Sequence, residues 1–157
     1  WVGDGGAYRT LDQPATELGL ALHEVTRPDA TVAVVAAGAP IYYSERAGVD
    51  LLGKSDAHIA ARPSREPFLP GHTKWDYRYS IGELRPDVIA ELFHLTAADL
   101  ELLADEGYQL MVIDQDLSER LQLVYVRSDS ALVDRSRLVP ADPALAERFE
   151  AAIVGDH

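Results

Sequence analysis

Residues Thr31–Ala37 read TVAVVAA, a continuous run of β-branched and small apolar side chains. Such a run is typical of a strand that is buried on both faces, as the strands of parallel sheets are. Before it, apolar residues at helical spacing predict an amphipathic helix over Pro14–Thr26, which Arg27-Pro28 ends because proline cannot continue a helix. A second short apolar run follows at Val49–Leu52. A helix, a strand, a crossover and a second strand in this order predict an α/β fold.

The rest of the chain extends this pattern. Short strands are predicted over residues 88–92, 108–113 and 121–126, the last two as an antiparallel edge. Thr96, with Asp99 three residues later, predicts the N-cap of a helix over Ala97–Glu106, and Pro143–Val154 predicts a final amphipathic helix. We therefore expect a flexible lead-in over residues 1–13 and a single α/β domain over residues 14–157. Its architecture is expected to be a two- or three-layer sandwich around a mostly parallel sheet with a mixed edge.

Composition excludes several classes of function. The net charge is −12, with 26 acidic and 14 basic residues, which argues against an autonomous nucleic-acid binder and disfavours broad adhesion to an anionic membrane. There is no cysteine, so disulfides and cysteine-ligated zinc are excluded. No apolar run approaches the roughly 18–20 residues of a membrane span. The chain starts at Trp1 and not at Met, and we expect it to be a piece of a longer protein.

A long polar loop over residues 54–79 is the most distinctive stretch of the chain. Its prolines disfavour continuous helix, although Asp56–Arg62 has room for a helical turn or two. If the first two strands are parallel neighbours, the loops that follow them lie at the same carboxyl edge, where open α/β sheets usually bind ligands. The expected rim combines side chains from both loops and the 54–79 segment. They are Tyr42, Tyr43, Ser44, Asp50, Asp56, His58, His72, Lys74, Trp75 and Asp76.

Each group of these residues has two interpretations. Asp56, His58 and His72 are possible ligands of a divalent metal, or Asp56 caps a helical turn and His58 packs locally. Trp75 offers a face on which a sugar ring can stack, with Lys74, His72 and Asp76 beside it, or it is a buried anchor of a loop folded onto the domain. The chain has neither a phosphate-loop motif nor a GxSxG motif, so no cofactor is predicted and a serine hydrolase is not expected.

Three spaced motifs carry a family resemblance. They are Ala37-Gly38-Ala39-Pro40-Ile41-Tyr42-Tyr43-Ser44, then Asp50-Leu51-Leu52-Gly53-Lys54-Ser55-Asp56-Ala57-His58-Ile59-Ala60, and then Pro70-Gly71-His72-Thr73-Lys74-Trp75-Asp76. This series resembles the soluble C-terminal domain of multi-pass glycosyltransferases that use polyprenyl-phosphate sugars. The most similar type is the actinobacterial arabinofuranosyltransferase group that adds terminal arabinofuranose units. Residues 14 to about 90 carry the resemblance.

The resemblance implies an extracytoplasmic domain tethered through transmembrane helices. In that family, the membrane half holds the catalytic carboxylate and the polyprenyl-phosphate donor. The rim residues would then either shape the side of the site that takes a cell-wall polysaccharide acceptor or dock the domain on its membrane half. Two alternatives remain beside this hypothesis: a free-standing metal-dependent hydrolase, and a non-catalytic interaction or carbohydrate-binding module.

Overall fold

The computed structural model describes residues 5–65, 71–114 and 122–154, with side chains described from Gln13 onward. The α-helices whose bounds lie within these ranges are α1 (Gly5–Val25), α2 (Ala39–Ser44), α3 (Ala57–Ala60), α4 (Ala97–Asp105) and α5 (Pro143–Val154). A π-helix spans Arg78–Glu83 and a 3-10 turn spans Arg135–Arg137. The strands are β1 (Thr31–Val34), β2 (Ala47–Asp50), β3 (Val88–Ile89), β4 (Tyr108–Ile113), β5 (Leu123–Arg127) and β6 (Leu138–Pro140).

The strands form one mixed sheet in the order β2-β1-β3-β5-β4-β6. β1 pairs in parallel with β2 and with β3, whereas the β3–β5, β5–β4 and β4–β6 pairs are antiparallel. Four strands, β1 to β4, therefore point the same way, while β5 and β6 point the opposite way. The predicted α/β class with a mixed-edge sheet is confirmed.

Side chains that alternate along the strands separate two apolar layers. Val32 and Val34 of β1 pack with α1, whereas Ala33 between them packs on the other face. The π-helix, α4 and α5 cover that second face, through residues such as Ile81, Leu103 and Phe149. The sheet is thus the middle of three layers, and its carboxyl edge carries loops that turn to opposite faces.

The N-terminal helix is longer than predicted. It begins at Gly5 and not at Pro14, so residues 5–13 of the expected lead-in are helical and Pro14 lies inside the helix. An interior proline removes one main-chain hydrogen bond. Burial of Leu18, Leu22 and Val25 against the sheet offsets that loss.

The first two strands have different ends from those predicted. β1 ends at Val34 because the next two backbone N–H groups, of Val35 and Ala36, donate to the Glu91 carboxylate and not to a neighbouring strand. β2 ends at Asp50, and Leu51 begins a turn. β4 and β5 pair antiparallel as predicted, but the edge beside β4 is occupied by β6, which was not predicted.

The C-terminal half follows the prediction more closely. α4 begins with a capping box in which Thr96 and Asp99 bond each other's backbone N–H, and Gly107 follows it with φ +76°. β4 and α5 have the predicted bounds. Over the described ranges, no helix has the length and apolar character needed to cross a membrane.

Candidate functional site

The expected rim divides into two parts. β1 and β2 are parallel neighbours, so the loops after them do begin at one edge of the sheet. From there, α2 turns towards α1, and Ile41 packs into the core layer on that side. Leu51, Trp75 and Tyr77 belong to the layer on the opposite face. Tyr42 and Tyr43 are therefore separated by the sheet from the 54–79 segment.

The first part is a tyrosine patch, formed by Leu20, His23, Tyr42, Tyr43 and Glu45. These five residues line an open depression of about 380 Å³ between α1 and α2. Tyr42 is 76% exposed and Tyr43 is 40% exposed, and their ring centroids lie 5.1 Å apart in an edge-to-face arrangement. Exposed tyrosine rings with an imidazole and a carboxylate beside them can both stack on a ligand and hydrogen-bond it.

Local sequence explains why α2 approaches α1 so closely. A Cβ atom on Gly19 would lie 2.8 Å from the Tyr43 Cβ and 2.9 Å from the Pro40 carbonyl oxygen, so only glycine fits at this position. Glu45 ends α2 in the left-handed conformation with φ 56°. His23 Nδ1 lies 3.1 Å from the Ser44 carbonyl oxygen, and because a carbonyl can only accept, that nitrogen carries the hydrogen.

The second part is centred on Lys74–Tyr77, which we call the clasp. The Lys74 ammonium donates to the carbonyl oxygen of Ala60 at the end of α3. Trp75 is only 6% exposed; its ring stacks on His94 at 5.8 Å and meets Phe93 edge-to-face at 5.6 Å. Of the two interpretations of Trp75, the structure has the buried anchor, because its faces are covered by neighbouring residues.

The other two clasp residues also bond different elements. The Asp76 carboxylate lies 2.8 Å from the Arg62 guanidinium. The Tyr77 hydroxyl donates to the Phe93 carbonyl and accepts from the Phe93 N–H, whose nitrogen is 3.0 Å away. Burial raises the pKa of Tyr77 far above its usual value, so this hydroxyl stays protonated as the donor. The clasp thus holds α3, the π-helix and the segment after β3 together.

Asp56 and His58 contact the π-helix as well. Asp56 caps α3, accepting from the Ile59 N–H at 3.0 Å, and the Tyr79 hydroxyl lies 3.3 Å from the same carboxylate. Burial, followed by the charge of Asp56, raises the pKa of Tyr79. The His58 ring stacks on Tyr79 with centroids 3.9 Å apart, and its Nε2 is 3.8 Å from Asp76. Of the two interpretations of these residues, the structure therefore has the second, in which Asp56 caps a helical turn and His58 packs locally.

Asp50 shapes the turn after β2. Its carboxylate, in a residue only 5% exposed, accepts from the Leu52 N–H at 3.0 Å and from the Ser55 hydroxyl at 2.9 Å. The turn passes through Gly53 at φ +69°, where a Cβ would lie 2.6 Å from Ile59. The hydrogen bonds that the structure shows to the Asp50 carboxylate all come from its own turn, so Asp50 has a structural role.

His72 is placed apart from the other two candidate metal ligands. It is partly buried, with its ring 5.5 Å from that of Phe93, whereas Asp56 and His58 lie beside Tyr79. Among the residues whose positions are described, no three His, Asp or Glu side chains are arranged to hold a metal ion. The part of the loop over residues 66–70 lies outside the described residues.

The family model described as "Domain of unknown function (DUF8728)" matches residues 6–146. The chain belongs to this family. Comparisons with curated proteins and with solved structures found no match. The match covers both the tyrosine patch and the clasp, so both lie within the DUF8728 region of the chain.

Several residues of the DUF8728 domain that contact the end of β1 or the clasp were not predicted from sequence. Glu91 accepts from the N–H groups of Val35 and Ala36 at 2.9 and 2.7 Å, and so terminates β1. His94 has φ 48°, an uncommon conformation for a residue other than glycine, and stacks on Trp75. Arg62, four residues after His58, could have been found from helical spacing, but Glu91 and His94 show no such signal.

Proposed function

We propose that this chain is the extracytoplasmic domain of a membrane glycosyltransferase of cell-wall polysaccharide synthesis, similar to the arabinofuranosyltransferases. In this proposal it binds the saccharide acceptor, while the membrane-embedded half of the same polypeptide binds the polyprenyl-phosphate donor and carries out the transfer. The series of three motifs supports the assignment. The domain alone is not proposed to be an active enzyme.

The tyrosine patch is the observation that carries the acceptor role. The described chain has five exposed large hydrophobic residues, and three of them, Leu20, Tyr42 and Tyr43, lie together in this patch. Folding leaves these rings in water although four other aromatic residues, Trp75, Tyr77, Tyr108 and Tyr125, are buried. A clustered apolar surface flanked by polar groups is typical of a binding site.

The chemistry of the patch suits a saccharide better than a purely apolar partner. A sugar ring presents C–H groups to an aromatic face and hydroxyls around its rim. The rings of Tyr42 and Tyr43 supply the face, and the carboxylate of Glu45 and the imidazole of His23 supply hydrogen-bond partners for hydroxyls. The depression is open, which suits a segment of a polymer that continues beyond the site in both directions.

The proposal assigns different roles to the residues of the expected rim. Tyr42 and Tyr43 contact the acceptor. Asp50, Asp56, His58, Lys74, Trp75 and Asp76 hold the fold of the second part and give the domain a fixed shape. Because Trp75 is covered by Phe93 and His94, stacking on the acceptor is assigned to the exposed tyrosines and not to Trp75.

Titration of the domain with arabinan and galactan oligosaccharides, followed by NMR, tests this role. We expect saturable chemical-shift changes at Tyr42, Tyr43 and His23. The Tyr42→Ala variant should weaken binding by roughly fivefold to tenfold, because a ring contact contributes on the order of 1 kcal/mol. Val139→Ala is the matched control, since Val139 is 53% exposed and lies outside the patch, and it should leave the affinity unchanged.

Two results would contradict the acceptor role. One is the absence of any shift at the patch with millimolar oligosaccharide, which would leave docking on the membrane half as the role of the patch. The other is an equal loss of affinity in the Tyr42→Ala and Val139→Ala variants. Sequencing the gene upstream of Trp1 tests whether the protein is a membrane glycosyltransferase, because the proposed function requires several hydrophobic spans there.

A further inference from the structure

Positive charge is concentrated in one stretch of this acidic chain. Residues 54–78 contain five of the 14 basic residues and only three of the 26 acidic ones, so this stretch has a net charge of +2 while the rest of the chain has −14. The stretch also contains His58 and His72. An acidic body with a locally basic segment favours one orientation in front of an anionic surface.

The fold brings three of these cations onto one surface. The Arg65 N–H donates to the Thr73 carbonyl at 2.6 Å, so the chain before and after residues 66–70 runs side by side. The Lys74 ammonium reaches across to the end of α3. Lys54 lies against Gly71, where a Cβ atom would be 3.1 Å from the lysine Cε. Lys54, Arg65 and Lys74 therefore share a surface, which we call the cationic face.

The charges of the cationic face are not cancelled by carboxylates in the described part of the chain. Arg62 beside it is paired with Asp76 at 2.8 Å. Lys74 instead bonds a neutral carbonyl, and the Arg65 guanidinium lies over the Trp75 ring, 5.2 Å from its centroid. For Lys54, Arg65 and Lys74, the described residues form no ion pair within 4.0 Å. Among the described residues, therefore, none pairs with these three cations in place of an external anion.

We propose that the cationic face docks on the phosphate headgroups of an anionic phospholipid membrane. This inference rests on the proposed function, which places the domain beside a bilayer. Each lysine or arginine near such a surface favours binding about fivefold. Charges farther away than the Debye length of about 8 Å are largely screened at physiological ionic strength, so distant acidic residues weaken this attraction little.

The position of the cationic face agrees with the acceptor role of the tyrosine patch. The cationic face belongs to the layer that contains Trp75, whereas Tyr42 and Tyr43 lie with α1 on the other side of the sheet. A domain that rests on headgroups through the first surface leaves the second one open to a polysaccharide in the aqueous phase. The two surfaces can therefore be tested separately.

Co-sedimentation with vesicles of phosphatidylcholine, with and without phosphatidylglycerol, tests the docking. The protein should bind only the phosphatidylglycerol vesicles, and less so as salt is raised. The triple variant Lys54→Gln, Arg65→Gln, Lys74→Gln should bind roughly a hundredfold more weakly. Because Lys74 also holds α3, the single variant Lys54→Gln is measured too, with an expected loss of about fivefold.

The matched control removes the same number of positive charges from outside residues 54–78. Arg27, Arg137 and Arg148 are exposed, and the triple variant with glutamine at these positions should bind phosphatidylglycerol vesicles as the unchanged protein does. An equal loss in both triple variants, or no binding to phosphatidylglycerol vesicles, overturns the proposal. So does release by inorganic phosphate when sodium chloride of equal ionic strength has no effect, since that marks a discrete phosphate site. Oligosaccharide binding at Tyr42 would survive each of these outcomes.

Discussion

At the scale of single residues, the buried guanidinium of Arg46 stabilises the end of α1. Arg46 is 8% exposed and donates from Nη2 to the carbonyl oxygens of Thr26 and His23 at 2.7 and 2.9 Å. Its Nε donates to the Thr26 hydroxyl at 2.9 Å. These carbonyls belong to the end of α1, where a positive charge also interacts favourably with the helix dipole.

Replacing Arg46 with methionine should lower the free energy of unfolding by about 2–4 kcal/mol. The change keeps an apolar stem but leaves two carbonyl oxygens without these donors, and each unsatisfied buried group costs about 1–3 kcal/mol. Urea denaturation followed by circular dichroism measures the loss. Arg137→Met is the control, because Arg137 pairs with Glu24 on the surface and should contribute less than about 1 kcal/mol. Equal losses in the two variants would contradict this role of Arg46.

At the same scale, the sequence named the carboxylates over residues 50–76 but not the direction in which they face, and it did not name His23 or Glu45 of the tyrosine patch. Asp50 accepts hydrogen bonds within its own turn and Asp56 caps its own helix, whereas Asp76 accepts from the Tyr79 N–H of the π-helix. Residue type and spacing are the same for a carboxylate that binds a ligand and for one that caps a backbone N–H. The stacking of Trp75 on His94 depends on residues 19 positions apart, which no local pattern contains.

At the scale of helices and strands, local signals predicted an element wherever they agreed with tertiary packing. The capping box at Thr96 and Asp99 marked α4, and the apolar run Tyr108–Ile113 marked β4. The start of α1 was missed because Gly5, Gly6 and Pro14 have poor helix propensity, which burial elsewhere in α1 overcomes. β6 was missed because a three-residue strand that contains proline has almost no periodic pattern.

The contact between α1 and α2 gives a prediction in which two effects have opposite signs. Alanine in place of glycine inside a helix usually stabilises it by about 1 kcal/mol. At Gly19 the new methyl group would lie 2.8 Å from the Tyr43 Cβ, so Gly19→Ala should instead destabilise the fold by roughly 1–3 kcal/mol and displace Tyr43. Thermal unfolding measures the stability, and tyrosine NMR shifts report the displacement.

The control for Gly19 is Gly82→Ala in the π-helix. There the nearest heavy atom to a new Cβ, an oxygen of Glu106, is 3.8 Å away, which is ordinary van der Waals distance. The Gly82→Ala protein should be as stable as the unchanged one or more so. A Gly19→Ala protein that is also stabilised would mean that α2 moves freely relative to α1, and the tyrosine patch would then have no fixed shape.

At the scale of the whole molecule, Asp87 joins the parallel and antiparallel halves of the sheet. Its carboxylate accepts from the N–H of Thr31, the first residue of β1, at 2.8 Å, from the Ser130 hydroxyl at 2.7 Å and from the Arg127 guanidinium of β5 at 3.0 Å. Asp87 itself precedes β3, which lies between these two strands. One side chain, 4% exposed, therefore connects three adjacent strands.

This junction predicts how the stability of the fold depends on acid. Desolvation by burial would raise the pKa of Asp87, but the hydrogen bonds from Thr31 and Ser130 and the charge of Arg127 outweigh it, and the pKa is lowered. The unfolded chain, with a carboxyl pKa near 3.9, then binds the proton more readily than the folded one. The stabilisation by Asp87 is thus complete above about pH 4 and is lost as the pH falls through the lower, folded pKa.

Asp87→Asn should unfold at a lower urea concentration at pH 7, and its stability should fall less steeply below about pH 4 than that of the unchanged protein. Asp114→Asn, at an exposed position, is the control; identical acid profiles for the Asp87→Asn and unchanged proteins would show that Asp87 does not couple the two halves.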